Sequence, residues 1–396
     1  MRSQGDSVEN PRFNRTICWQ KIVYKQEKLE NITEETNKMK RLTVVILCII
    51  FPVALAHAQA PQPVQAGFAL ERELGSAEKH SYEVSLKKGE LLNFVVEQRG
   101  VDIVLRIYAP DGKFYDRIDS PNGIAGDEPF RMVAFNDGRY RVEVNRYFDP
   151  DPTGKYFVKT VEIRKATNAE IKVARLKDEL VKIATEETRF GSFPEVVKRR
   201  YANTALIIDE NGFVNTAAEL FDQTTKNPPK MPEGFMFEDE LSNARVEDFG
   251  DTAVLNLNQS YNFKNPSENI NRKVNQRIGY VFKRMNGEWR IINVQRTLGE
   301  PYHEFIKLDA KQLDNLVGVY EGVKPSETFT VLREGEMLFG KFGAGEKFPL
   351  TPESESVFQS GAFGVAFIRG ADGAATQVVI HYPMPNDRIS IQSKVK

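Results

Sequence analysis

Apolar and polar residues alternate along much of the chain after about residue 67. Tyr82, Val84 and Leu86 alternate with Ser81, Glu83 and Ser85, the period of a half-buried strand. Similar runs follow in LLNFVVEQ, DIVLRIYAPDG, FRMVAF, YRVEVNRY and KYFVKTVEI. Lys88-Gly89, Asp111-Gly112, Asn122-Gly123 and Asp137-Gly138 punctuate them as turns. This spacing predicts an antiparallel β-sandwich over 67–165. At Thr167 the period changes. Val173, Leu176, Leu180 and Ile183 mark one face of a helix capped by Thr167 or Asn168 and running to about Thr188. A second helix starts near Pro194, and a strand, an Asn-Gly turn and a short helix come next. Three long strands then follow in DTAVLNLNQSYNF, KVNQRIGYVFKRM and EWRIINVQRT, the last two joined by an Asn286-Gly287 hairpin. Helices first and an antiparallel sheet afterwards predict an α+β domain over 168–297. A short helix from Asp309 leads into eight short strands over 309–396, the count of a small closed barrel. The expected fold is multidomain and mainly β: a β-sandwich, one α+β domain and a small antiparallel β-barrel.

The start of the chain reads differently. Met39-Lys40-Arg41, an apolar run from Leu42 to Ala56 and the Ala56-His57-Ala58 site have the layout of a secretory signal peptide at 39–58, cleaved after Ala58. Pro52 interrupts the run, which is short of the roughly 20 apolar residues that span a bilayer. The polar stretch 1–38 lacks periodicity and is read as a non-native or disordered extension, and 59–66 as a Pro- and Gln-containing linker. Both cysteines, Cys18 and Cys48, precede the cut, so the mature chain has neither a disulfide nor a thiol nucleophile. Cleavage removes 9 of the 54 Lys and Arg and 6 of the 55 Asp and Glu, leaving 45 against 49. That balance argues against a general nucleic-acid binder. The expected location is periplasmic or secreted, with no membrane span after cleavage.

Three resemblances add to this reading. His80-Ser81-Tyr82, Lys88-Gly89-Glu90, GVDIVLRIYAPDGK and Asp137-Gly138-Arg139-Tyr140 resemble the bacterial pre-peptidase C-terminal domain. The resemblance implies an accessory sandwich of exported proteins, assisting binding or secretion. VVKRRYANTALIIDENG, Gly250 to Val254 and VFKRMNGEWRIINVQRT resemble the SnoaL-like, nuclear-transport-factor-2-like cone fold. Where that family often has an aspartate pair, this chain has Asn203-Thr204, so the resemblance does not bring acid–base chemistry with it. Leu316 to Tyr320, EGEMLFGKF, FPLTPESESVF and FIRGADG resemble the lipocalin-like barrel that follows serine β-lactamase-like hydrolase domains.

Candidate chemistry is sparse. Ser85 to Lys88 and Ser393 to Lys396 match Ser-x-x-Lys in letters but lie on a strand and at the C-terminus, not on a helix. Three scattered histidines after the cut do not make a zinc site. Asp111, Asp116, Asp119, Asp127 and Glu128 read as loop carboxylates without EF-hand spacing, and Lys198 to Arg200 as a solvated helix face. Strand parity in the cone puts Gln259 and Tyr261, Gln276 and Tyr280, and Trp289 and Gln295 on one face per strand, with Tyr201 ending the covering helix. These seven residues form the candidate ligand pocket, against the alternative of a packed, hydrogen-bonded core. Their rows carry no carboxylate or histidine, so no catalytic residue, metal or cofactor is expected. The leading reading is an exported, noncatalytic binding or envelope-associated protein of bacterial type, whose partner is a small molecule or an envelope component. The alternative is a small-molecule isomerase, dehydratase or hydrolase using the cone.

Overall fold

The structure, a computed structural model, describes residues 60–75, 78–147, 153–226, 228–299, 305–322, 328–361, 363–382 and 389–395. The extension 1–38, the leader 39–58 with Ala58, and His303 lie outside the described residues. The chain divides into Met1–Ala60 and Pro61–Lys396, and the second unit carries every element below. It is a multidomain, mainly β protein.

Nine strands build the sandwich: β1 (Gln62–Val64), β2 (Leu70–Leu74), β3 (Lys79–Leu86), β4 (Glu90–Arg99), β5 (Ile103–Tyr108), β6 (Phe114–Ile118), β7 (Ala125–Val133), β8 (Gly138–Arg146) and β9 (Gly154–Lys165). They form one sheet in the order β1-β3-β8-β5-β6 and another in the order β2-β9-β4-β7. Their alternating inner residues, Tyr82, Val84, Phe94, Val96, Val142 and Val144 among them, make one core.

Helix α1 (Asn168–Thr188) begins at a capping box in which Thr167 and Glu170 satisfy each other's backbone donors. It buries Leu176, Leu180, Ile183 and Ala184, whereas Val173, expected on the same face, is 39% exposed. After α2 (Phe193–Arg200) come β10 (Tyr201–Ile208), β11 (Val214–Thr216) and α3 (Ala217–Lys226). The long strands are four, not three: β12 (Met236–Asp248), β13 (Thr252–Asn265), β14 (Ile270–Met285) and β15 (Glu288–Leu298). The sheet order is β11-β10-β15-β14-β13-β12, antiparallel except for the β10–β15 pair. Strand β12 is an edge strand rich in Asp and Glu, as edges that resist further pairing are, and that composition hides its alternation.

Past the short helix α4 (Ala310–Asp314), eight strands close an up-and-down antiparallel barrel. They are β16 (Gly318–Glu321), β17 (Phe329–Glu334), β18 (Met337–Phe342), β19 (Lys347–Pro352), β20 (Val357–Ser360), β21 (Phe363–Arg369), β22 (Ala375–His381) and β23 (Ile389–Lys394). Phe329, Val331, Phe358, Phe367 and Ile380 fill its interior.

The three cores are joined. Asp116 on β6 accepts a hydrogen bond of 2.7 Å from the backbone N–H of Asn243. Asn243 is left-handed (φ 50°) and sits at the bulge of β12. Arg106 pairs with Glu240 at 2.8 Å, also across the sandwich–cone contact. On the other side, Val357, Ala366 and Val379, on the outer face of the barrel, pack with Phe235, Phe263 and Ile270 of the cone. His381 stacks on Phe263, with ring centroids 4.9 Å apart and planes 7° from parallel. Burial and the neighbouring Arg272 push the His381 imidazole down to about 3, so it is neutral at physiological pH.

Gly364 is a tight point of that contact, because a Cβ there would lie 2.6 Å from the Arg272 side chain. Gly364→Val is expected to destabilise the folded chain by roughly 1–3 kcal/mol through overpacking, read as a lower urea midpoint. A wild-type midpoint would mean that the barrel does not press on Arg272.

Candidate functional site

The cone interior is organised by a carboxylate that the sequence reading passed over. Glu187 lies one turn beyond Ile183 on the inward stripe of α1 and is fully buried. Its Oε1 accepts from Tyr201 Oη at 2.8 Å and from Arg296 Nη2 at 2.6 Å. Its Oε2 accepts from Tyr280 Oη at 2.8 Å. Burial, and then the charge of Glu187, hold both tyrosine hydroxyls well above their usual range. Burial by itself would lower the Arg296 guanidinium, but Glu187 and the two tyrosines raise it above its ordinary value. Neutral donors and a permanent cation therefore surround one anion, the arrangement a water-free ion pair requires.

Arg296 faces inward because β15 is irregular. Phe282 pairs with Ile291 but Val281 pairs with Asn293, so Ile292 is an extra residue and the alternation reverses beyond it. Trp289 and Ile291 point inward before the bulge, and Val294 and Arg296 after it. Gln295, expected in the pocket by simple alternation, is exposed on the outer face for this reason.

A second network touches the first at the end of α1. Gln276 Nε2 donates to Gln259 Oε1. Gln259 Nε2 donates to Asp239 Oδ1 at 2.8 Å, and Thr188 Oγ1 to Asp239 Oδ2 at 2.6 Å. Asp239 belongs to β12, the unread strand, and closes this chain from the exposed edge of the sheet.

The remaining candidates stand apart. Tyr261 is buried against Phe237, with centroids 5.3 Å apart, and edge-on to His381 of the barrel. Trp289 lies under the Arg284 guanidinium at 4.5 Å, at the hairpin end of the sheet. On β14 the partners of Trp289 and Tyr261 are Arg284 and Val274, roughly 34 Å apart at the rise of a strand. One small pocket cannot take in both. The structure brings Tyr201 and Tyr280 together on Glu187, and Gln259 and Gln276 together beside them.

Part of this cluster carries unused hydrogen-bonding capacity. Arg296 Nε and Nη1 and Gln276 Oε1 are buried without a partner among the described residues. Glu210, on the turn between β10 and β11, has two shielded carboxylate oxygens hydrogen-bonded to no other residue. Burial pushes its carboxyl up to about 7, and the charges of Arg296 and Arg272 act against that rise. Among the described residues no cluster of three His, Cys, Asp or Glu side chains is built to hold a metal.

No family model matches the chain, and no curated protein matches it. Solved structures are similar over part of it. A nuclear-transport-factor-2-like protein of unknown function from Prochlorococcus is 15% identical, with a TM-score of 0.26, over 31% of this chain and 93% of its own. The association domain of CaMKII from C. elegans is 14% identical, with a TM-score of 0.28, over 32% and 98%. PliG from Aeromonas hydrophila, a periplasmic inhibitor of g-type lysozyme, is 15% identical, with a TM-score of 0.23, over 26% and 96%. None of these likenesses places the chain in a family.

Arg296→Met is expected to cost roughly 3–5 kcal/mol in urea unfolding, because it leaves Glu187 buried and unpaired. The double variant Glu187→Gln, Arg296→Met should recover much of that loss. If the double variant is as unstable as the two single losses added together, the pair is not coupled as described.

Proposed function

We propose that this is an exported, noncatalytic binding protein whose cone holds a small carboxylate-bearing molecule at Arg296. The observation that carries the reading is a guanidinium shut off from water, fixed by Glu187 through Nη2 and left with Nε and Nη1 unpaired. Buried donors in folded proteins are almost always satisfied, and an oxyanion is the partner an arginine binds most strongly. Tyr201, Tyr280 and Gln276 would shape the site, and Glu210 on the β10–β11 turn would act on it through its charge interaction with Arg296. Gln259 would act behind Gln276. Trp289, Tyr261 and Gln295 belong to other parts of the sheet and are left out of the proposed site.

Glu210 gives the reading a pH signature. Below about 7 its carboxyl is neutral and can donate to the ligand, and above that value its charge opposes a second anion. Titration calorimetry of the full chain with short mono- and dicarboxylic acids should show affinity falling as pH rises through about 7. Glu210→Gln should keep the binding and flatten that slope. The proposal fails if none of these acids binds, or if binding survives in Arg296→Met shown to be folded by circular dichroism.

Export rests on the leader at 39–58, and the sandwich and barrel are read as accessory modules by their motif resemblances. N-terminal sequencing of protein from the producing cell should find a start near Gln59. Recovery of an uncleaved chain, with Cys48 in the membrane fraction, would overturn this part.

One observation favours a second reading. A shielded carboxyl that titrates near neutrality beside two arginines suits a general acid or base. An isomerase or dehydratase of this kind would lose turnover in Glu210→Gln while keeping its substrate affinity.

A further inference from the structure

The outer face of the cone sheet carries a second, independent site. Two adjoining cavities, of about 240 and 480 Å³, share Ser120, Pro121, Asn258 and Arg277 and make one groove between the sandwich and the sheet. Its floor is a regular array. Asn256, Gly279 and Gln295 are paired across β13, β14 and β15 in one row, and Asn258, Arg277 and Thr297 in the next. Successive rows on one face lie about 6.7 Å apart along the strands. None of the five side chains in these rows makes a hydrogen bond to another described residue. The wall is preformed: Glu128, fully buried in the sandwich, accepts from the Ser120 N–H at 2.9 Å and from Gln98 at 3.2 Å.

Gly279 is the telling residue. It sits in the middle of a long strand, where glycine costs roughly 0.5–1 kcal/mol relative to alanine. Its φ is not left-handed, and a Cβ would meet only the Asn256 side-chain oxygen, at 3.2 Å. That contact is tight, but the exposed Asn256 side chain can turn aside to relieve it, so the fold alone does not require glycine, and the missing side chain leaves the floor of the groove open. Glycine within a strand marks places where something else approaches the backbone.

The chemistry of the groove selects its ligand. Amides and a hydroxyl offer donors and acceptors in pairs, which is what a hydroxyl-covered molecule needs. Arg117 is paired with Asp119 at 2.7 Å, and Asp119 also lies in the field of Arg277. Arg245 and Asp102 also line the groove, so three arginines face two aspartates, and a net of one positive charge suits neither a nucleic acid nor a strongly charged peptide. Tyr147 lines one end, with the Arg117 guanidinium 5.7 Å from the centre of its ring. Leu257 and Ile278, which also line it, are buried with the cone core, so the floor presents polar side chains to a ligand.

We propose that this groove binds a neutral glycan, lying across the Asn256–Gly279–Gln295 and Asn258–Arg277–Thr297 rows against the Ser120–Pro121 wall. The site is separate from Arg296, which faces the other side of the sheet.

Titration calorimetry of the full chain with cellohexaose, chitohexaose, laminarihexaose and xylohexaose tests it. At least one should bind, and Gly279→Leu, which fills the floor, should lose binding while keeping the wild-type melting temperature. Removing two contacts in Asn258→Ala, Gln295→Ala should weaken binding by roughly tenfold, and Glu210→Gln should leave it unchanged. No binding of any of the four glycans would overturn the proposal. So would binding that survives Gly279→Leu, or an extended neutral peptide that competes with the glycan.

Discussion

A carboxylate and a guanidinium removed from water fix how the cone's helix sits on its sheet. Glu187 comes from the helix and Arg296 from the sheet, so their contact ties the two layers at one point. Two charges in such a place are tolerable only if each is compensated. The tyrosines at 201 and 280 complete the Glu187 side, whereas Arg296 is compensated on one edge only. The structural role and the proposed ligand role thus fall on the same guanidinium. Glu187 sets where it sits, and its remaining donors set what it can hold.

Much of the architecture was legible because strand alternation and turn pairs are local. Six of the nine sandwich strands and the eight barrel strands follow the runs and turns seen in the chain, whereas β1 lies in the stretch 59–66 expected to be a linker and pairs with β3, and β2 and β6 were not read. The cone was legible in outline but not in its interior. Glu187 continues the Leu176, Leu180, Ile183 stripe, and a carboxylate at that spacing was the available signal. Arg296 was hidden by the extra residue at Ile292, since alternation carried past a bulge assigns every later side chain to the opposite face. Asp239 was hidden because the acidic residues of edge strand β12 mask its alternation. The candidate set mixed residues of one cluster with others far along the same strands, because parity fixes a face but not a position on it.

The contacts between modules were not legible at all. Asp116 looked like one of several loop carboxylates, yet it holds the bulge of β12 against the sandwich, with Lys177 also within 3.8 Å. His381 looked like a scattered histidine, yet it is an uncharged ring stacked between domains. Such roles depend on residues more than a hundred positions away, and no local pattern encodes them.

Small β-barrels are portable because their outer surface asks for nothing but water, so one can be moved from chain to chain as a finished part. Strands β20 to β22 of this barrel have lost that freedom. Phe358, Phe367 and Ile380 are committed to the interior, and Val357, Ala366 and Val379 to the cone. On this flank both faces of the strand are constrained, and substitution at almost any position must satisfy a neighbour. Variation is left to the opposite flank, where Leu332 and Met337 are exposed. A lineage carrying this chain should drift on one side of its barrel and stand nearly still on the other.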